Sequence, residues 1–240
     1  MVGLKRRIGA GTWPAKVIFI TGTDTGVGKT LLTALLLSHL RSQGRHALAM
    51  KPFCSGGRGD VRLLQSLQMG DLTDAEMNPF YFERPLAPLV ASKGRAKSVS
   101  LRSVVEKVRE VATKCEVLLV EGSGGLLVPL GKGYTVADLI RRLKRRVIVV
   151  ARNRLGTINH TWLTVRTLCS LGIRKADIKV ILMSPARGDL SSQTNRRVLA
   201  SLLRPISVEK MPFLGRDIST STRISALAER QKTVLKRLID

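Results

Sequence analysis

The stretch Val17-Ile-Phe-Ile-Thr-Gly-Thr-Asp-Thr-Gly-Val-Gly-Lys-Thr30 decides the architecture. Its first four residues form a short apolar run of the kind that is buried on both faces of a parallel sheet. Gly22, Gly26 and Gly28 follow, and glycines let the backbone turn its N–H groups inward around an anion. Lys29 and Thr30 then open a leucine-rich segment that reads as a helix to Gln43, with Gly44 as its stop. Strand, glycine-rich loop and a Lys-Thr pair at a helix start form a P-loop. In that arrangement the lysine and the helix N-terminus gather phosphates, and the threonine hydroxyl ligates Mg²⁺. A nucleoside triphosphate with its Mg²⁺ is therefore the expected ligand. The loop is a variant. GxxxxGK[ST] would place glycine where Thr23 stands, and the nearest glycine is Gly22. Hydroxyls at Thr23 and Thr25 and a carboxylate at Asp24 fill the loop instead.

Outward from this loop the pattern repeats. Ala47 to Lys51, Val117-Leu-Leu-Val120, Val147-Ile-Val-Val150, Val180 to Met183 and Ser207 to Met211 read as further strands. Leu101, Val104, Val105, Val108, Val111 and Ala112 fall on one helical face. Helices are expected over 60–69, 136–144, 159–171, 194–203 and 223–238. The fold class is thus α/β: a P-loop-type, mostly parallel sheet with helices on both faces, in a single domain. Ligands of such sheets bind at the carboxyl ends of the strands. Lys51-Pro-Phe-Cys-Ser-Gly56 follows one strand, so Lys51 is expected in the same crevice as the P-loop. Glu121 ends another apolar strand, a Walker B-like position where a carboxylate completes a Mg²⁺ shell. Asp60 comes shortly after Ser55, at a helix start where N-capping is its plain role.

Taken together, these segments resemble the dethiobiotin synthetase family. The matching pieces are Gly22-Thr-Asp-Thr-Gly-Val-Gly-Lys-Thr30, Lys51-Pro52 with Ser55-Gly56, Val120-Glu-Gly-Ser-Gly-Gly125 followed by Pro129, and Arg154-Leu-Gly-Thr-Ile-Asn-His160. The resemblance runs from Val17 to about Leu214. It implies ATP-dependent carboxylation of 7,8-diaminononanoate and closure of its ureido ring to dethiobiotin, ADP and phosphate. It also implies catalytic roles for Lys51, Lys29, Thr25 and Ser55. Nucleotide contacts would come from Gly26, Val27, Gly28, Lys29, Thr30, Glu121, Gly122, Gly124, Met183 and Pro212. Mg²⁺ would be held by Thr30, Asp60 and Glu121. Substrate contacts would come from Ser55, Gly156 and Asn159, with the segment after Arg154 at a homodimer interface; helix capping and packing would explain Asn159 and His160 equally. Residues 1–15 would be a disordered tail and 16–240 the catalytic domain. Two departures stand out. The loop between Ser55 and Asp60 is short. Where the family often ends the strand with asparagine, this chain has Met183, so other triphosphates besides ATP are expected to serve.

Composition limits the remaining choices. In 240 residues, hydrophobic side chains make up 44 % and aromatics only 4 %, so an aliphatic core is expected. No apolar run approaches the roughly 20 residues of a membrane span. Cys54, Cys115 and Cys169 lie far apart with no CxxC spacing, which suits a reducing cytoplasm. The net charge of +24 raises the question of nucleic acid. Basic residues are spread along the whole chain, and no aromatics interleave with them to stack bases. The main alternative, a DNA-associated partitioning ATPase, would carry a signature lysine where this loop has Asp24. A basic surface without a nucleic-acid partner is the expectation.

Overall fold

The computed structural model describes residues 13–93, 98–215, 218 and 220–240. The chain runs β1 (Lys16–Gly22), α1 (Lys29–Ser42), β2 (Ala47–Met50), β3 (Phe53–Ser55), α2 (Gly59–Ser66), α3 (Asp74–Met77), β4 (Phe80–Phe82) and α4 (Pro88–Ala91). It continues through α5 (Leu101–Ala112), β5 (Val117–Gly125), β6 (Pro129–Gly131), β7 (Tyr134–Thr135), α6 (Val136–Leu143), β8 (Arg146–Arg152) and α7 (Thr157–Ser170). It closes with β9 (Ile178–Met183), α8 (Leu190–Leu202), β10 (Ser207–Met211), α9 (Ser221–Arg230) and α10 (Lys232–Ile239).

Six strands form one sheet in the order β10-β9-β8-β1-β5-β2, and every neighbouring pair is parallel. The apolar runs explain this. Val117, Leu118, Leu119 and Val120 are buried to the last side chain, as are Val147, Ile148, Val149 and Val150. Strands without a polar face need cover on both sides, and helices supply it. The leucine-rich α1 buries Leu32, Leu35, Leu36 and Leu37 completely, packing against β2, β5 and α9. Among the described residues no helix is long and apolar enough to cross a membrane.

The main strands and helices fall where periodicity put them, with three differences. The helix expected over 223–238 is broken into α9 and α10 at Gln231. In one continuous helix Gln231 would line up with Ile224, Ala228, Leu235 and Leu238 on the buried face. The break at that polar residue ends the first helix, and its N–H bonds back to Leu227 and Ala228. Next, the short pairs β3–β4 and β6–β7 and the helices α3 and α4 had no periodic signal, because each element spans at most four residues. Finally, of the expected tail over 1–15, residues 1–12 lie outside the described ones. Trp13 sits against the domain with the guanidinium groups of Arg109 and Arg145 at 5.2 and 5.4 Å from its ring, and Ala15 is buried.

One edge of the sheet shows how a non-local contact completes it. β2 is an end strand, so its outer N–H and C=O groups lack a strand partner. The fully buried Gln68 supplies one: Ala49 N–H donates to its Oε1 at 2.7 Å, and its amide donates to Ala49 O at 3.1 Å. The side-chain amide thus copies one rung of a ladder. Gln68→Leu would keep the bulk but leave both main-chain groups buried and unpaired. It is expected to lower stability by about 2–3 kcal/mol, read from urea unfolding.

Candidate active site

The carboxyl ends of β1, β2 and β5 converge on one corner. At the end of β1 the loop turns with Gly26 at φ 68° and Gly28 at φ 102°, a region that side chains with a Cβ rarely adopt. Arg152, at the end of β8, pins the loop by donating from Nε and Nη2 to Gly26 O at 3.0 and 2.7 Å. Lys29 begins α1 almost wholly buried, and its ammonium donates to Asp24 O at 2.9 Å. Burial pushes its pKa down to about 8; Glu121 opposes the fall and Lys51 adds to it.

Lys51 leaves β2 and is also buried. It pairs with Glu121 Oε1 at 2.8 Å and with Asp60 Oδ2. Burial would depress the pKa of Lys51, but the two carboxylates outweigh it and hold the value above that of an ordinary lysine. Burial would likewise raise Asp60, and Lys51 outweighs that and keeps it low. Thr30 donates its hydroxyl to the same Glu121 Oε1 at 2.7 Å. Two lysines, two carboxylates and a hydroxyl from four separate elements therefore meet. Among the described residues Glu121 Oε2 is buried with no hydrogen-bond partner. Hard oxygen donors from Thr30, Asp60 and Glu121, one of them unpaired, fit Mg²⁺.

Around this corner opens a cleft of about 550 Å³. Thr25, Gly26, Gly28, Lys29, Thr30, Lys51, Ser55, Asp60, Glu121 and Gly124 all line it. The Ser55 hydroxyl is buried and without a partner among the described residues, so it can donate to a ligand. On the other side of the P-loop lies a second pocket of about 390 Å³ that includes Val27, Met183 and Pro212.

Three expected residues stand elsewhere. Gly122 lines neither pocket; a Cβ there would lie 2.9 Å from the Phe19 ring and 3.3 Å from Ile20 O. Its glycine serves close packing of β5 on β1. Gly156 and Asn159 are exposed on the first turn of α7 and its cap, outside both pockets. Conversely, the wall Pro85-Leu86-Ala87-Pro88 was not anticipated. Its two prolines after the Phe80–Phe82 strand were the available signal. Asn153 and Ser184 in the second pocket were also missed, although each follows directly on a strand.

Comparison with known proteins agrees with this geometry. A family model described as an AAA domain matches residues 16–211. The ATP-dependent dethiobiotin synthetase BioD of Bacillus licheniformis is 42 % identical over 75 % of this chain and 78 % of its own. Those of Bacillus subtilis and Thermodesulfovibrio yellowstonii are 40 % and 38 % identical, over 77 % and 82 % of this chain and 81 % and 88 % of theirs.

The chain belongs to the dethiobiotin synthetase family.

Among solved structures, a putative plasmid partition protein from Borrelia burgdorferi bound to AMPPNP aligns with a TM-score of 0.58 at 11 % identity, over 93 % of this chain and 99 % of that one. A ParA family ATPase from Chlorobium tepidum aligns at 0.52 and 14 %, over 95 % and 97 %. At such identity they share the fold with this dethiobiotin synthetase family member and nothing more. The partitioning reading is not favoured, and Asp24 stands where its signature lysine would be.

The placement of Gly122 gives a test. Gly122→Ala is expected to destabilise the family member by about 1–3 kcal/mol through overpacking on Phe19. The KM for nucleotide should stay within a few-fold of wild type at a temperature where the variant is folded. Differential scanning calorimetry and steady-state kinetics read the two effects separately. A large rise in KM at unchanged melting temperature would return Gly122 to the nucleotide site.

Proposed function

We propose that the chain joins 7,8-diaminononanoate and CO₂ into the cyclic urea dethiobiotin, with ATP converted to ADP and phosphate. The observation that carries this reading is the pair of buried lysines, Lys29 and Lys51, on the wall of one cleft with Glu121 and Asp60. One amine of the substrate takes up CO₂ and loses a proton to become a carbamate. A carbamate oxygen attacks the γ-phosphorus, the bond to the β–γ bridging oxygen breaks, and ADP leaves. The second amine then attacks the carbamate carbon, phosphate departs with its C–O bond, and a further proton is lost.

The phosphoryl transfer brings anion to anion, so fixed positive charge in a site shielded from water is the main requirement of that step. Lys29 neutralises the β- and γ-phosphates from the loop. Lys51 faces the junction between carbamate and phosphate. The free Ser55 hydroxyl and that of Thr25 donate to the equatorial or carbamate oxygens. The loop's N–H groups fix the triphosphate, which does most of the work in phosphoryl transfer. Mg²⁺, held by Thr30, Asp60 and Glu121, would neutralise charge on the triphosphate when bound.

Several features support the finer parts of the proposal. Leu155 and Leu163, at the cap and on α7, are 80 % and 57 % exposed, and Trp162 beside them is 38 % exposed. An apolar patch of this kind suits a homodimer in which Gly156 and Asn159 serve the partner's substrate. Three free cysteines suit the cytoplasm. The basic surface is proposed to have no nucleic-acid partner.

Enzyme incubated with diaminononanoate, bicarbonate and MgATP should yield the cyclic urea by mass spectrometry, together with stoichiometric ADP. ADP without the ring product would defeat the reading. Lys51→Ala should lower ring closure by two or more orders of magnitude, on the scale of about 3–4 kcal/mol for a lost transition-state contact, while nucleotide binding stays measurable by calorimetry. Unchanged turnover would remove Lys51 from the chemistry.

A further inference from the structure

β2 lies at the edge of the sheet, and Lys51 follows its last residue. Ala49 and Lys51 are two residues apart, so their N–H and C=O groups turn to the same side, away from β5. Gln68 serves Ala49 there. Lys51 has a matching pair of partners. Its N–H donates to Met77 O at 2.9 Å, and its C=O accepts from the side-chain amide of Asn78 at 2.8 Å. Both partner residues are buried. They are delivered by α3, a short helix anchored by a capping box between Thr73 and Glu76.

The segment beyond Lys51 is held in the same way. Phe80 N–H donates to Pro52 O at 3.0 Å, the Ser123 hydroxyl to Phe53 O at 2.7 Å and the Tyr81 hydroxyl to Gly56 O at 3.0 Å. Lys51 and Ser55 thus ride on a main chain whose carbonyls are tied down along its length. Asn78 lines neither pocket and therefore acts through Lys51 rather than on a ligand. Its Oδ1 is buried with no partner among the described residues. A buried amide used at only one end costs stability. An apolar side chain of similar size would avoid that cost, so packing alone does not account for an amide here. The donation to Lys51 O does.

We infer that Asn78 is a positioning residue for ring closure: it fixes the main chain of Lys51 and so aims the ammonium at the junction of carbamate and phosphate. The inference rests on the proposed reaction. Lys51 carries its charge on a flexible stem. Glu121 and Asp60 hold that charge at one end, and Met77 and Asn78 fix the backbone at the other. Placement matters, because a displacement of about 1 Å can lower a rate by about 10²-fold. Capture of the triphosphate draws instead on the loop and Lys29, which belong to β1 and α1 and make no use of Asn78.

Asn78→Ala removes the donor and opens room for water at Lys51 O, which satisfies the carbonyl without fixing it. Gln68→Leu is the control, because it removes the same kind of edge contact from Ala49, outside the cleft. Both variants should lose stability in urea. Turnover of diaminononanoate, bicarbonate and MgATP is then measured at a temperature where both are folded. The kcat for ring closure should fall about tenfold or more in Asn78→Ala and stay within a few-fold of wild type in Gln68→Leu. Calorimetric affinity for MgATP should stay within a few-fold of wild type in both. Wild-type kcat in Asn78→Ala overturns the inference and leaves the reaction standing. An equal fall in both variants does the same, because it marks the effect as structural. A fall in Asn78→Ala matched by lost nucleotide affinity also overturns it. Absence of ring closure in the wild type sinks both inference and reaction. Should Asn78→Ala not fold, Asn78→Ser, which keeps a hydroxyl donor on a shorter side chain, is held to the same control and criteria.

Discussion

The structure depends on matching the buried carboxylate of Glu121 at the end of the sheet. Its carboxylate is almost fully buried at the end of β5, where an isolated charge would be costly. Lys51 and Thr30 offset that cost by meeting it from β2 and α1. Lys51 in turn is buried and is held charged by Glu121 and Asp60. Buried ion pairs are weak evidence of stability, since apolar replacements often do as well. Their persistence in a chain whose core is otherwise aliphatic points to chemistry as the reason for the arrangement.

The parallel sheet explains how sequence-distant residues reach that corner. Register pairs Ile20 on β1 with Glu121 on β5, and Met50 on β2 with Val120. Residues just past the ends of adjacent parallel strands therefore arrive side by side. Lys51, one residue beyond β2, and Glu121 come together without any special loop. The glycines next to them answer to different needs. Gly26 and Gly28 shape the anion-binding turn, whereas Gly122 lets β5 lie close on Phe19.

That division shows what a sequence discloses. The strand–loop–helix around Lys29 was legible because all its signals are local: an apolar run, glycines, and a Lys-Thr pair at a helix start. Glu121 was legible because a carboxylate at the end of an apolar strand needs a cation. The close packing of Gly122 on Phe19 was not legible, since a run of glycines does not state which of them serves packing. The rung supplied by Gln68 was invisible, because its partner Ala49 is 19 residues away and nothing local marks a glutamine as a strand surrogate. The wall formed by Pro85 to Pro88 was equally hidden, because it reaches the cleft through the pairing of two three-residue strands. The break at Gln231 could have been anticipated, since a polar side chain in mid-stripe conflicts with a continuous helix.

The two ends of the nucleotide site obey different physics. At the phosphate end, charge decides: buried lysines and carboxylates act where the dielectric is low, and each must be matched. The pocket beside it is mostly apolar, and the amide of its Asn153 is occupied by Asn195 and Ser192 O. All nucleoside triphosphates carry the same phosphates, so a reaction that uses only the γ-phosphoryl group gains its rate entirely from the charged end. The base adds affinity without entering the transition state, which raises binding but not the chemical step. The shared P-loop, with Met183 packed on Gly28, is the boundary between the charged cleft and the apolar pocket.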